Sequence, residues 1–147
     1  MSVTPQVASF VKDLYARSDV GPEGHDAYVD LYLPDATLVM DKVQFDGQAG
    51  VRKFREAGWE KVATRHHVCK GIFPSPSNPD EVMTYGTVDY GFKDGSKKDG
   101  IEFATRLVMD QSGKEIKIKF YQVYIVSGPG RARASERDAR SGRPQGV

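Results

Sequence analysis

Apolar residues at Val7, Phe10, Val11, Leu14 and Tyr15 recur three and four positions apart, the spacing that lines one side of an α-helix. Thr4 offers a hydroxyl for the helix N-cap, and Pro5 presets the backbone of the first turn. Gly21, Pro22 and Gly24 end this helix, and a shorter one is predicted over His25 to Leu33, stopped before Pro34. Ala36 to Met40 reads as a strand, with Lys42 to Phe45 as its return. Gly47 opens a third helix, whose stripe is Val51, Phe54, Gly58, Trp59 and Val62.

After Ala63 the period changes from helix to strand. Thr64–Phe73, Glu81–Phe92, Ile101–Met109 and Lys114–Val126 are rich in β-formers and are separated by segments of turn residues. Helices followed by a meander predict an α+β domain, a cone-shaped, strongly curved antiparallel sheet wrapped around the N-terminal helices with one internal pocket. Ile116, Ile118 and Phe120 alternate with Lys117 and Lys119, so one face of the last strand is dry and the other wet. Continuing the same alternation assigns Gln122, Tyr124 and Val126 to one face and Tyr121, Val123 and Ile125 to the other. Since both sets are apolar, the expectation is a homodimer whose partner covers the convex face at Tyr121, Val123 and Ile125.

Composition narrows the class. With 39% hydrophobic and 28% charged residues the chain is ordinary for a globular domain, and 21 basic against 20 acidic residues create no field that would gather nucleic acid or a lipid surface. No apolar run approaches the roughly 18–20 residues of a membrane helix, and no leader pattern opens the chain. Cys69 is the single cysteine, which excludes an intrachain disulfide and fits a reducing, cytoplasmic setting. Residues 1–126 are expected to form the domain. Residues 127–147 carry five arginines against one glutamate and one aspartate with almost no large apolar side chain, and read as a disordered solubilising tail.

The segment Thr4-Pro5-Gln6 to Tyr15 resembles the opening helix of bacterial ketosteroid isomerases. Asp35-Ala36-Thr37, followed by Asp46-Gly47-Gln48-Ala49-Gly50-Val51-Arg52-Lys53-Phe54, resembles their first strand and third helix. Arg65-x-His67, Tyr85-Gly86-Thr87 and Phe120-Tyr121-Gln122-Val123-Tyr124 look like small fungal SnoaL-like proteins. All belong to the superfamily named after nuclear transport factor two, and the resemblance spans residues 4–126 in order. It implies the cone-shaped fold. It implies no single function, because that fold carries isomerases, dehydratases, cyclases and non-catalytic binders.

By that resemblance Tyr15 stands where the family keeps an oxyanion-hole tyrosine, able to donate to an enolate-like oxygen; as a plain residue it is a core tyrosine. Asp41 stands one residue beyond the isomerases' proton-shuttling carboxylate, or else on an exposed turn, since a slip of one residue turns a strand side chain to the other face. The isomerases' second acid falls near Thr105, which cannot supply the same acidic donor. His67 matches a histidine of scytalone dehydratase, with Asp19 or Asp26 available to orient it and Gly86 near the place of the second histidine. His66 points the other way. No metal is expected, because His66, His67 and Cys69 on one strand cannot surround an ion, and nucleotide-binding and serine-hydrolase motifs are missing, so no cofactor is expected.

Phe10, Phe54, Trp59, Phe103, Thr105, Leu107, Gln122 and Tyr124 are the expected lining of an apolar cavity with a few polar groups. Two functions remain open. One is a cofactor-free proton-transfer enzyme (isomerase, dehydratase or cyclase) acting on an apolar oxygenated metabolite through His67, Tyr15 and Asp41. The other is a non-catalytic ligand-binding or dimerisation module with the same cavity.

Overall fold

In the computed structural model, which describes residues 2–126, helix α1 spans Pro5–Ser18 and is capped as its sequence indicates, the Val7 amide donating to Thr4 Oγ1 at 3.2 Å. Val7, Val11, Leu14 and Tyr15 are buried on one side, and Phe10 is half-covered at the flank. A 3₁₀ turn (Pro22–Gly24) leads into α2 (His25–Val29), which ends four residues before the expected Leu33. Residues from Tyr32 onward already belong to strand β1 (Tyr32–Met40). Its pairing with the last strand skips from Tyr32 to Thr37, so the missing N–H of Pro34 interrupts no ladder there. β2 (Val43–Asp46), α3 (Gly47–Gly58), β3 (Val62–Pro74), β4 (Glu81–Phe92), β5 (Lys97–Asp110) and β6 (Lys117–Val126) complete the order. Gly47 starts α3 at φ 69°, a conformation that glycine adopts without a Cβ penalty.

The six strands form one curved, unclosed sheet in the order β2-β1-β6-β5-β4-β3. The architecture is α+β, with helices on the concave face. The sheet is mixed rather than wholly antiparallel, because β1 runs parallel to β6 while the other neighbours are antiparallel.

The expected facing of β6 is overturned by a bulge. Met109 and Asp110 pair with Ile118 and Lys117, whereas Val108 pairs with Phe120, so one extra residue, Lys119, enters β6 at this point. Alternation restarts one residue out of phase. Tyr121 (4% exposed) and Val123 (7%) face the concave core, and Tyr124 (41%) and Val126 (61%) face outward. The convex residues assigned from the sequence are therefore the concave ones, and the partner expected over Tyr121, Val123 and Ile125 is not needed to cover them. The convex face has its own exposed apolar residues: Val68, Phe73, Met83, Tyr85 and Tyr124. The expected tail, 127–147, lies outside the described residues. No described helix is long and apolar enough to cross a membrane.

Candidate functional site

A cavity of about 330 Å³ lies between α3, the β1–β2 hairpin and the concave face of β4, β5 and β6. Phe54, Phe103, Val88, Val123 and Ile125 give it apolar walls, and its polar side chains are Ser18, Tyr28, Arg55, Arg65, His67, Tyr90 and Tyr121.

His67 reaches the cavity from β3. Asp19, the residue that ends α1, holds it twice. The carboxylate accepts from the His67 backbone amide at 2.9 and 3.1 Å and from ring Nδ1 at 2.6 Å. The ring stacks on Tyr15 (centroids 5.3 Å apart) and meets the edge of Phe103 (5.4 Å). One carboxylate thus fixes both strand and imidazole, and with Nδ1 occupied, Nε2 is the nitrogen left for a ligand. Asp26, the other expected orienting group, instead pairs with Arg52 on the surface. His66 is exposed, and its Nδ1 lies 3.8 Å from the same Asp19 carboxylate.

Tyr15 does not line this cavity. Its hydroxyl shares hydrogen bonds with Thr84 (2.7 Å) and Thr105 (3.4 Å), receives one from Tyr121 (3.4 Å), and the two threonines bond to each other at 2.6 Å. Its ring is the layer between His67 and the core, and it borders a groove between α1 and β3. Burial raises the Tyr15 phenol and lifts Tyr121 well above the ordinary range; it also pushes Tyr28 up to about 12. These phenols stay protonated and offer hydrogen-bond donors.

Two arginines were not anticipated as site residues. Arg55 is 2% exposed. It donates to the carbonyls of Ser18, Val20 and Gly21 and, through Nε, to His25 Nδ1 at 3.1 Å. Those bonds close the chain between α1 and α2. The sequence does contain a signal for it: Arg55 sits four residues from both Val51 and Trp59, on the buried stripe. Arg65 shares the face of His67 two residues away, donates to the Gly58 carbonyl at 2.7 Å, and lies over the rings of Trp59 (4.6 Å) and Tyr90 (5.2 Å). Burial lowers both guanidinium pKa values from the ordinary one; that value is high enough for both to remain cations.

The remaining expected site residues are spread over the molecule. Phe54 and Phe103 line the cavity. Trp59, Thr105 and Leu107 are buried behind its wall. Phe10 borders a separate groove beside Glu115–Lys117. Gln122 and Tyr124 are on the convex face, because of the bulge that reverses β6. Asp41 sits at φ 56° in the two-residue turn between β1 and β2, exposed, with its amide donating to the Val123 carbonyl. Met40, one residue earlier, is the one that lines the cavity. At Gly86 a Cβ would come 1.9 Å from the Val68 carbonyl oxygen, so no second histidine fits there without displacing β3. Among the described residues no three acidic, histidine or cysteine side chains converge as metal ligands.

No protein-family model and no curated protein sequence matches the chain. Solved structures do. The chain is similar to a nuclear transport factor two-like protein of unknown function from Exiguobacterium (TM-score 0.68, 16% identity, covering 80% of this chain and 98% of that one). It is also similar to ActVI-ORFA from Streptomyces coelicolor (0.67, 15%, 82% and 95%). A third similar structure is a hexachlorocyclohexane dehydrochlorinase from Novosphingobium barchaimii (0.68, 10%, 82% and 84%). At these identities the likeness is one of fold.

Proposed function

From the premise that this chain has the fold of nuclear transport factor two and its SnoaL-like and ketosteroid-isomerase-like neighbours, we propose that the cavity is a small-molecule site in which His67 moves a proton without a cofactor. The observation that carries this reading is the 2.6 Å hydrogen bond from His67 Nδ1 to Asp19. A carboxylate on one imidazole nitrogen sets the tautomer, orients the ring and stabilises the imidazolium formed when the other nitrogen takes a proton. A dehydrochlorinase among the neighbours is consistent with elimination chemistry on this scaffold. The reaction class is proton abstraction followed by isomerisation, elimination or ring closure of an oxygenated, largely apolar metabolite. Tyr121 and Tyr28 are on the cavity wall as protonated phenols, but their hydroxyls are paired with Tyr15 and Tyr32, so either would have to exchange that partner to meet an oxygen gaining charge. Tyr15 positions the imidazole and does not touch substrate.

The second reading, a binding module without chemistry, draws on the distance of Asp41 from the cavity and on the exclusion of a second histidine at Gly86. A thermal-shift screen of oxygenated cyclic compounds would supply ligands, and turnover would then be followed in the wild type and in His67→Ala and Asp19→Asn. The enzyme reading expects His67→Ala to lose about 10²–10⁴ in rate, with Asp19→Asn losing less, and both to keep the far-ultraviolet spectrum of the wild type. Bound ligands that never turn over would favour the module.

A homodimer through the convex face also belongs to this proposal, now carried by Phe73, Met83, Tyr85 and Tyr124 instead of Tyr121, Val123 and Ile125. A cytoplasmic setting, in keeping with the free Cys69, completes it.

A further inference from the structure

Two guanidiniums face one small cavity, and neither has a carboxylate at ion-pairing distance among the described residues. A buried cation without a counter-ion carries a large desolvation cost, which backbone carbonyls and aromatic faces offset only in part. Arg55 is surrounded by carbonyl oxygens that use most of its N–H groups. Its contribution to the cavity is a fixed positive field. Arg65 is different. It donates to Gly58 and is favoured by the Tyr90 hydroxyl and the charge of Asp19, while its Nε is buried with no partner. The indole Nε1 of Trp59, whose ring centre is 4.6 Å from the guanidinium carbon, is a second buried donor with none.

The other polar groups in the wall extend the asymmetry. The hydroxyls of Tyr121, Tyr28 and Ser18 are already paired with Tyr15, Tyr32 and the Leu14 carbonyl, and Tyr90 adds one more phenol; none of them is an anionic group. Asp19 is committed to the amide and ring of His67 and does not line the cavity. The wall therefore holds two permanent positive charges and no carboxylate. It is also apolar over most of its area, and at about 330 Å³ it is near the small end of ligand sites.

We infer that the cavity takes a small cyclic or aromatic organic anion, a carboxylate, whose charged group is received by Arg65 within the field of Arg55 while its ring lies against Phe54 and Phe103. This deepens the small-molecule reading above and rests on it. A planar carboxylate suits a guanidinium edge because two oxygens can meet two N–H groups at once. Placing the anion there would also put the adjacent carbon skeleton on the side of the cavity that His67 occupies.

The test uses the full chain and three probes of one shape: 1-naphthoate, 1-naphthamide and 1-naphthylmethylammonium. Binding is measured by calorimetry or naphthalene fluorescence at fixed ionic strength. The inference expects the carboxylate to bind at least tenfold more tightly than the amide, and the ammonium to bind most weakly. Arg65→Gln should reduce that preference to within about twofold, and Arg65→Lys, which keeps the charge but not the planar fork, should retain part of it. Amide binding equal to or tighter than carboxylate binding would overturn it, as would an unchanged preference in folded Arg65→Gln or no binding of any probe at millimolar concentration. The wild-type comparison decides the matter even if a variant fails to fold. Naphthoate bound selectively by a protein that turns nothing over would sink the enzyme reading and leave this inference standing; turnover of neutral substrates with no anion preference would do the reverse.

Discussion

His25 accepts a hydrogen bond from Arg55 on Nδ1, which only the neutral ring can do. Burial first, and then the Arg55 charge, lower its pKa in the folded protein. The native state thus binds this proton less readily than the unfolded chain. The contribution is present in full above the unfolded imidazole value of about 6.5 and is lost as pH falls through it toward the lower folded value. Melting temperatures measured between pH 7.5 and 5.5 should fall less in His25→Gln, whose amide oxygen can still accept, than in the wild type. Tyr15 gives a second test at this scale. Tyr15→Phe removes one hydroxyl, but Thr84 and Thr105 still satisfy each other at 2.6 Å, so the expected stability loss is about 1 kcal/mol. Because Tyr15 acts through the imidazole it stacks on, its rate effect should be smaller than that of His67→Ala. An equal effect would restore Tyr15 to contact with substrate.

At the scale of elements, one extra residue on β6 sets the phase of its alternation. Deleting Lys119 removes the extra residue of the bulge and makes the alternation continuous, with Ile118 inward, Phe120 outward and Tyr121 inward, so Tyr121 and Val123 should keep their places in the core. Cooperative unfolding and probe binding, followed by circular dichroism and fluorescence, should survive the deletion, and their loss would show that the bulge itself shapes the cavity. On β4, Gly86→Ala meets backbone at 1.9 Å and should cost about 1–3 kcal/mol. A neutral result there would mean that β3 and β4 have room for the second histidine.

For the whole molecule, the proposed dimer rests on the convex face. Phe73 stacks on Tyr85 at 6.0 Å in the open, 57% and 44% exposed, beside Met83. Light scattering on the wild type should give twice the 16.3 kDa chain mass, and Tyr85→Glu should give the single mass with little change in melting temperature. A monomeric wild type at tens of micromolar would reject the dimer.

The sequence by itself determined the helix α1 stripe from Val7 to Tyr15, its Thr4–Pro5 start, and the succession of helices before strands, because periodicity and capping are properties of neighbouring residues. It also placed His67 on the opposite strand face from His66 and named Asp19 as a possible partner. Tertiary structure decided the rest. A bulge is a property of two paired strands, so the reversal at Lys119 is invisible to alternation along one of them, and with it went Gln122, Tyr124 and the expected dimer residues. Arg55 was not among the expected site residues, since charge ordinarily stays wet; only the carbonyls of Ser18, Val20 and Gly21, brought to it from more than thirty positions away, make its burial tolerable. The cavity exists because α3, the first hairpin and three strands enclose it together, and no stretch of the chain encodes that volume alone.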